Sequence, residues 1–183
     1  MKMADLRFER TEQMLQLNFL KLLETTHFND ISIAKLAKAS LIDRTTFYAH
    51  YENIYELAEQ LIDQYLEHFA KVFEQNIKKR KQEEKFDSYS FLDEELNAYL
   101  VENRKKIMLV RALNLGINSF DAKLRRLFKS EYVEALNIPE NEFTIYLLVN
   151  LAMSNMDFTL EKQRVPSKKE LKEGLVKIEE YLS

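Results

Sequence analysis

The chain has no cysteine. That absence removes disulfides, thiolate metal sites, cysteine nucleophiles and thiol redox sensing together. Glycine and proline number two each in 183 residues. Sandwiches and barrels need many tight turns, so this scarcity points to an all-α fold. Long apolar runs are missing as well: none approaches the roughly 18 residues that a membrane span requires. Met1-Lys2-Met3-Ala4-Asp5 leads into polar sequence with no apolar leader core. The expectation is a soluble, cytoplasmic protein without membrane association. The three histidines, His27, His50 and His68, lie far apart, which makes a metal site from them improbable. There is no Gly-rich phosphate loop and no credible His-based triad. Neither an enzyme nor a cofactor is therefore expected. The net charge of −3 argues against indiscriminate nucleic-acid binding. It leaves room for a specific binder, which needs positive charge on one face only.

What is present is helical periodicity from end to end, and about nine helices are expected. Leu15, Phe19, Leu22 and Leu23 recur at helical spacing in the first segment, and His27-Phe28-Asn29-Asp30 breaks it. Ser32 can cap a short helix through Lys38, and Asp43 a second one through about His50. Asn53 can cap a long helix lined by Leu57, Leu61, Tyr65, Phe69 and Val72, extending toward Lys78-Lys79-Arg80-Lys81. The polar stretch 82–88 is the best linker candidate. Further helices are expected from Ser90 with Asp93, around Ile107 to Leu113, after Ser119, and near Pro139. The last is opened by Ser167 and Glu170 as a capping box. This divides the chain into an N-terminal module at 1–52, a connecting helix at 53–81 and a helical domain at 82–183.

The informative segment lies between Ser32 and Leu57. Two short helices joined by the link Ala39 to Ile42 make a helix-turn-helix. Ala37 is small where the helices must cross, and Leu36, Ile42 and Phe47 are placed to hold their angle. The second helix opens with Arg44, Thr45 and Thr46, all polar, in the turn where a recognition helix meets base edges. Arginine pairs bidentately with guanine, and a threonine methyl touches a thymine methyl. Tyr48 and His50 can donate to phosphate oxygens, with core packing as the plainer alternative for each. Helix starts after Ser32 and Asn53 can turn N–H groups toward phosphate. From Ser32 to Tyr51 there are three cations, Lys35, Lys38 and Arg44, against Asp43 alone. Positive charge is concentrated where DNA would sit.

Ile42-Asp43-Arg44 followed by Thr45-Thr46-Phe47-Tyr48-Ala49-His50-Tyr51 resembles the recognition-helix signature of the tetracycline-repressor-like (TetR) family, over roughly residues 11–66. The resemblance implies a three-helix DNA-binding domain, a bridging fourth helix and a helical effector domain. It also implies a homodimer, usually formed through the last two helices. It places DNA contacts at Arg44, Thr45, Thr46, Tyr48 and His50. Two positions depart from the pattern. The turn position usually held by Gly is Leu41, and a left-handed backbone there would cost about 1 kcal/mol. The Lys that usually opens the fourth helix is Ile54, which removes one phosphate contact.

Beyond residue 82 the reading is coarser. The run Phe143 to Leu160 is apolar on more than one face, so it is either the centre of the second domain or shared with a partner subunit. Tyr146, Val149, Met153, Leu171, Leu175 and Ile178 are the candidate dimer residues. Tyr99, Met108, Phe120 and Met153 could line an effector pocket, and core packing explains them equally well. The expected function is a DNA-binding repressor released from a palindromic operator by a small apolar or amphipathic effector. The alternative is a coactivator whose helical domain answers to a protein partner.

Overall fold

The computed structural model describes residues 2–83 and 94–183, and every described regular element is helical. Nine α-helices follow in order among these residues: α1 (Lys2–Leu23), α2 (Ile33–Ala39), α3 (Arg44–Tyr48), α4 (Ile54–Glu83), α5 (Glu94–Glu102), α6 (Arg104–Arg111), α7 (Phe120–Leu136), α8 (Phe143–Lys162) and α9 (Lys168–Leu182). Single 3-10 turns occupy Phe28–Asp30 and Gly116–Asn118. No described helix is long and apolar enough to cross a membrane. Of the expected linker, Gln82 and Glu83 belong to α4, and the remainder lies outside the described residues, as do Ser90, Leu92 and Asp93.

The chain forms two compact units. The first combines Met1–Leu66 with Lys105–Lys123. Its core is built from Leu15 and Phe19 of α1, Leu36 of α2, Phe47 of α3, Leu57 and Ile62 of α4, Ile107 and Val110 of α6, and Phe120 at the start of α7. All are fully buried; Leu15 and Phe19 are four residues apart on α1, and Ile107 and Val110 three apart on α6, so each pair lies on one helical face. Charged groups fasten the rim. Lys123 Nζ donates to Glu59 at 3.1 Å and to Asp63 at 2.5 Å, two carboxylates one turn apart on α4. Arg111 grips both oxygens of Asp121, at 2.7 and 2.8 Å.

The second unit combines Glu67–Arg104 with Leu124–Ser183. The rest of α4 supplies Phe69 and Val72, α5 supplies Leu96 and Leu100, and α7 supplies Leu124, Phe128 and Tyr132. Ile145, Val149, Ala152, Met153, Met156 and Leu160 of α8 complete this core. Within it the His68 ring stacks on Tyr99, with centroids 3.8 Å apart. Arg104 donates to the carbonyl of Leu160. α8 stops at Gln163, which takes the left-handed conformation with φ +56°.

Pro139 sits in the turn before α8 rather than at its first position. Its carbonyl accepts from the Glu142 N–H at 3.1 Å, and the helix starts at Phe143. The last helix begins as its sequence indicates. Ser167 and Glu170 close a capping box, and Arg164 clasps Glu170 at 2.7 and 3.0 Å. These bonds, first that of Arg164 and then that of the Ser167 N–H, pull the Glu170 carboxyl down from 4.5 to about 2. A depressed carboxylate pKa adds stability that is complete above the unfolded value and is lost as pH falls through the folded one. Fraying of α9, followed by amide exchange, is accordingly expected to increase from about pH 4.5 toward pH 2. Ser167→Ala should reproduce it at neutral pH, at a cost of about 1 kcal/mol to that helix.

Candidate nucleic-acid interface

The support for α3 starts in α1. Gln16, itself buried, donates through Nε2 to the Tyr51 hydroxyl at 3.2 Å, and that hydroxyl is 3.4 Å from Glu12 Oε1. Burial pushes the Tyr51 phenol well above its ordinary range, so it stays protonated and able to donate. Asn18 Nδ2 donates to Ser40 Oγ at 3.3 Å, which anchors the turn between α2 and α3. Leu36 and Ala37 of α2 and Phe47 of α3 are buried together, as their positions in the sequence indicate, while Ile42 is partly covered.

The turn is a Schellman motif. The Ile42 N–H donates to the Ala37 carbonyl at 3.0 Å, and the Leu41 N–H to the Lys38 carbonyl at 3.3 Å. The motif requires a left-handed residue between them, ordinarily glycine. Here it is Leu41, at φ +54°, with its side chain 93% exposed. The strain suspected from the sequence is therefore present, and no burial of the leucine offsets it. Leu41→Gly relieves about 1–2 kcal/mol of left-handed strain and loses about 0.5–1 kcal/mol to glycine's freer unfolded chain. A net gain of up to about 1.5 kcal/mol is expected in urea unfolding, and a lower stability would contradict it.

α3 then starts on Asp43, whose Oδ1 accepts from the Thr46 N–H at 2.7 Å. That bond is the main reason the Asp43 carboxyl lies below its ordinary value. The helix has five residues, two fewer than its sequence suggests, and the His50 N–H turns back three residues to the Phe47 carbonyl at 2.9 Å in a 3-10 bond. Phe47 faces wholly inward. Arg44 and Thr45 are exposed, Thr46 is partly so, and Tyr48 is 58% exposed with its ring edge-on to Phe47. The structure thus brings Arg44, Thr45 and Tyr48 together on the open side of one short helix.

Ser32 and Asn53 are N-caps. Ser32 Oγ accepts from the Lys35 N–H at 3.2 Å, and Asn53 Oδ1 from the Glu56 N–H at 3.0 Å. Both side chains are exposed and keep their own donors. Lys35 Nζ turns back to Thr26 Oγ1 at 2.9 Å. His50 is placed less simply. Its ring stacks on Phe8 of α1, with centroids 3.9 Å apart, and its Nδ1 is buried without a protein partner. Desolvation lowers its pKa, against a smaller opposing pull from Glu12. A phosphate contact from His50 would come from a neutral N–H. Ile54 is buried beside Leu57, so no side chain at that position reaches toward phosphate.

Phe8 is a residue the sequence reading passed over. Phe8, Leu15 and Phe19 share one stripe at intervals of seven and four residues, and the stripe starts two turns before the first position noticed. Neither a scan against protein-family models nor a search of curated proteins finds a match for this chain.

The candidate dimer residues separate into two groups. Val149 and Met153 belong to the core of their own unit. Tyr146 is 48% exposed, Leu175 44% and Ile178 55%, and Leu171 is partly covered. Phe143, Leu147 and Val176 add to the exposed apolar surface of the same two helices. Of the residues considered for an effector pocket, Phe120 and Met153 are core, Tyr99 stacks on His68, and Met108 is half exposed.

Proposed function

We propose that this protein is a sequence-specific DNA-binding transcription regulator of the tetracycline-repressor-like kind, working as a homodimer. The observation that carries the reading is α3. Five residues, fixed at one end by Asp43 and from beneath by Phe47, hold Arg44, Thr45 and Tyr48 in the open. An arginine and a threonine in the first turn are suited to base edges, and a phenol one turn on is suited to a phosphate oxygen.

The apolar surface on α8 and α9 supports the second half of the proposal. Surface leucines and isoleucines scattered singly need no explanation, whereas contiguous ones at helical spacing on neighbouring helices mark an interface. A two-fold dimer through them would present two copies of α3 to successive major grooves, about 34–36 Å apart on one face of the duplex. An effector that prefers another separation of the two α3 helices would release the DNA by shifting the population.

The test is selection of binding sites from random duplexes by the purified protein at fixed salt, in parallel with an Arg44→Ala, Tyr48→Ala double variant. A palindromic site enriched by the wild type and not by the variant is the expected result. Enrichment of nothing by the wild type, with and without cell extract as a source of corepressor, would remove the reading.

A further inference from the structure

Leu41 goes against two local preferences at once. Its backbone is left-handed, at φ +54°, a conformation that favours glycine. Its side chain is 93% exposed, so no packing offsets the strain. A single exposed leucine needs no explanation, but one held in a strained conformation does. Strain of this kind gathers where a side chain serves function rather than folding. Glycine at the same position would remove both the strain and the exposed apolar surface.

The turn also fixes the direction in which this side chain leaves the backbone. The Leu41 N–H is bound to the Lys38 carbonyl and the Ile42 N–H to the Ala37 carbonyl. Ser40, just before it, is buried, and its Oγ accepts from Asn18. Leu41 stands at the opening end of α3, two residues before the Asp43 cap and three before Arg44. Lys38 and Arg44, both exposed, flank it three residues to either side. An apolar group between two cations matches a surface that is polyanionic and carries methyl groups. Duplex DNA is such a surface, because the thymine C5-methyl lies in the major groove between the two phosphate backbones. An apolar patch on a protein partner would not call for the flanking cations.

We propose that Leu41 reads sequence: its methyl groups pack on the C5-methyl of a thymine in the major groove, beside the base pair met by Arg44. This deepens the DNA-binding proposal and rests on it. The strained turn presents the leucine already in place, so little conformational freedom is lost on binding.

The test starts from the site that the wild type selects from random duplexes. Each thymine is replaced in turn, in both half-sites, by uracil, which pairs identically and lacks only the methyl group. One such replacement is expected to weaken the wild type about fifteenfold, as for one buried methyl lost from each of two half-sites. Leu41→Gly should bind the thymine site at least about tenfold less well than the wild type and bind the uracil and thymine sites equally. Its urea midpoint should be no lower than that of the wild type, so the two effects have opposite signs. Leu41→Asn, which also tolerates the left-handed turn, should behave as glycine does. Thr45→Ser should keep the uracil penalty at that thymine. If the wild type tolerates uracil at every position, the proposal is overturned. It is overturned equally if the penalty survives Leu41→Gly, the result expected when glycine merely loosens the turn or when Thr45 meets the methyl. A wild type that enriches no site removes the DNA-binding reading and this inference with it.

Discussion

Arg44→Ala is expected to cost about 1–3 kcal/mol of DNA binding in each half-site. A symmetric dimer carries that loss twice, about 2–6 kcal/mol, so affinity for the selected operator should fall by about thirtyfold at least and by about twenty-thousandfold at most. The side chain is exposed and opens α3, so the melting temperature should barely move. Three companions separate the possible roles. Arg44→Lys keeps the charge and loses the planar fork; for a guanine contact it should bind almost as poorly as alanine at the operator. A phosphate contact would instead be largely rescued by lysine. Tyr48→Phe removes one neutral donor, so it should weaken selected and scrambled duplexes alike and leave the salt slope unchanged. If Arg44→Ala weakens all sequences equally and flattens the salt dependence, Arg44 reads the backbone and the base-reading role passes to Thr45. The same measurement on His50→Gln decides the histidine. Its ring is already committed to Phe8 and desolvated, so its removal should act more through the packing of α1 than through charge.

Much of this arrangement is legible without coordinates, and the reason is locality. Ser32, Asp43, Asn53 and Ser167 all act as caps by accepting from the N–H three residues on. A signal spanning four residues is complete within the sequence. Leu41 stands out only against the family pattern, although the Schellman motif around it involves only residues 37–42. What fails is whatever depends on neighbours distant in the chain. Val149 and Met153 satisfy a dimer stripe and a core stripe equally, since periodicity reports that a face is covered and not by what. The stacking of Phe8 on His50 joins residues 42 positions apart, and no local pattern announces it.

Phe47→Ala is expected to have the largest effect on stability, about 3–5 kcal/mol. A helix of five residues cannot hold itself together, since nucleation alone outweighs the few bonds it gains. α3 therefore depends on what lies beneath it. Phe47 is fully buried, meets Tyr48 edge-on at 5.7 Å and Tyr51 at 5.8 Å, and its carbonyl takes the N–H groups of His50 and Tyr51. Removing the ring leaves a cavity between α3 and its supports that the buried Tyr51, tethered to Gln16 and close to Glu12, cannot move to fill. Against a total stability of about 5–15 kcal/mol the loss is a large fraction, and urea unfolding should show it as a lower midpoint with little change in slope. Phe47→Leu keeps most of the volume and should cost less than about 1.5 kcal/mol. Amide exchange then localises the damage: the N–H groups of Phe47, Ala49 and Tyr51 should lose protection in Phe47→Ala well before those of α1. A variant that unfolds within about 1 kcal/mol of the wild type would mean that α3 is held chiefly by its cap and by Tyr51. In that case the exposed row of Arg44, Thr45 and Tyr48 would owe its position to Asp43, and Asp43→Ala would become the more damaging change.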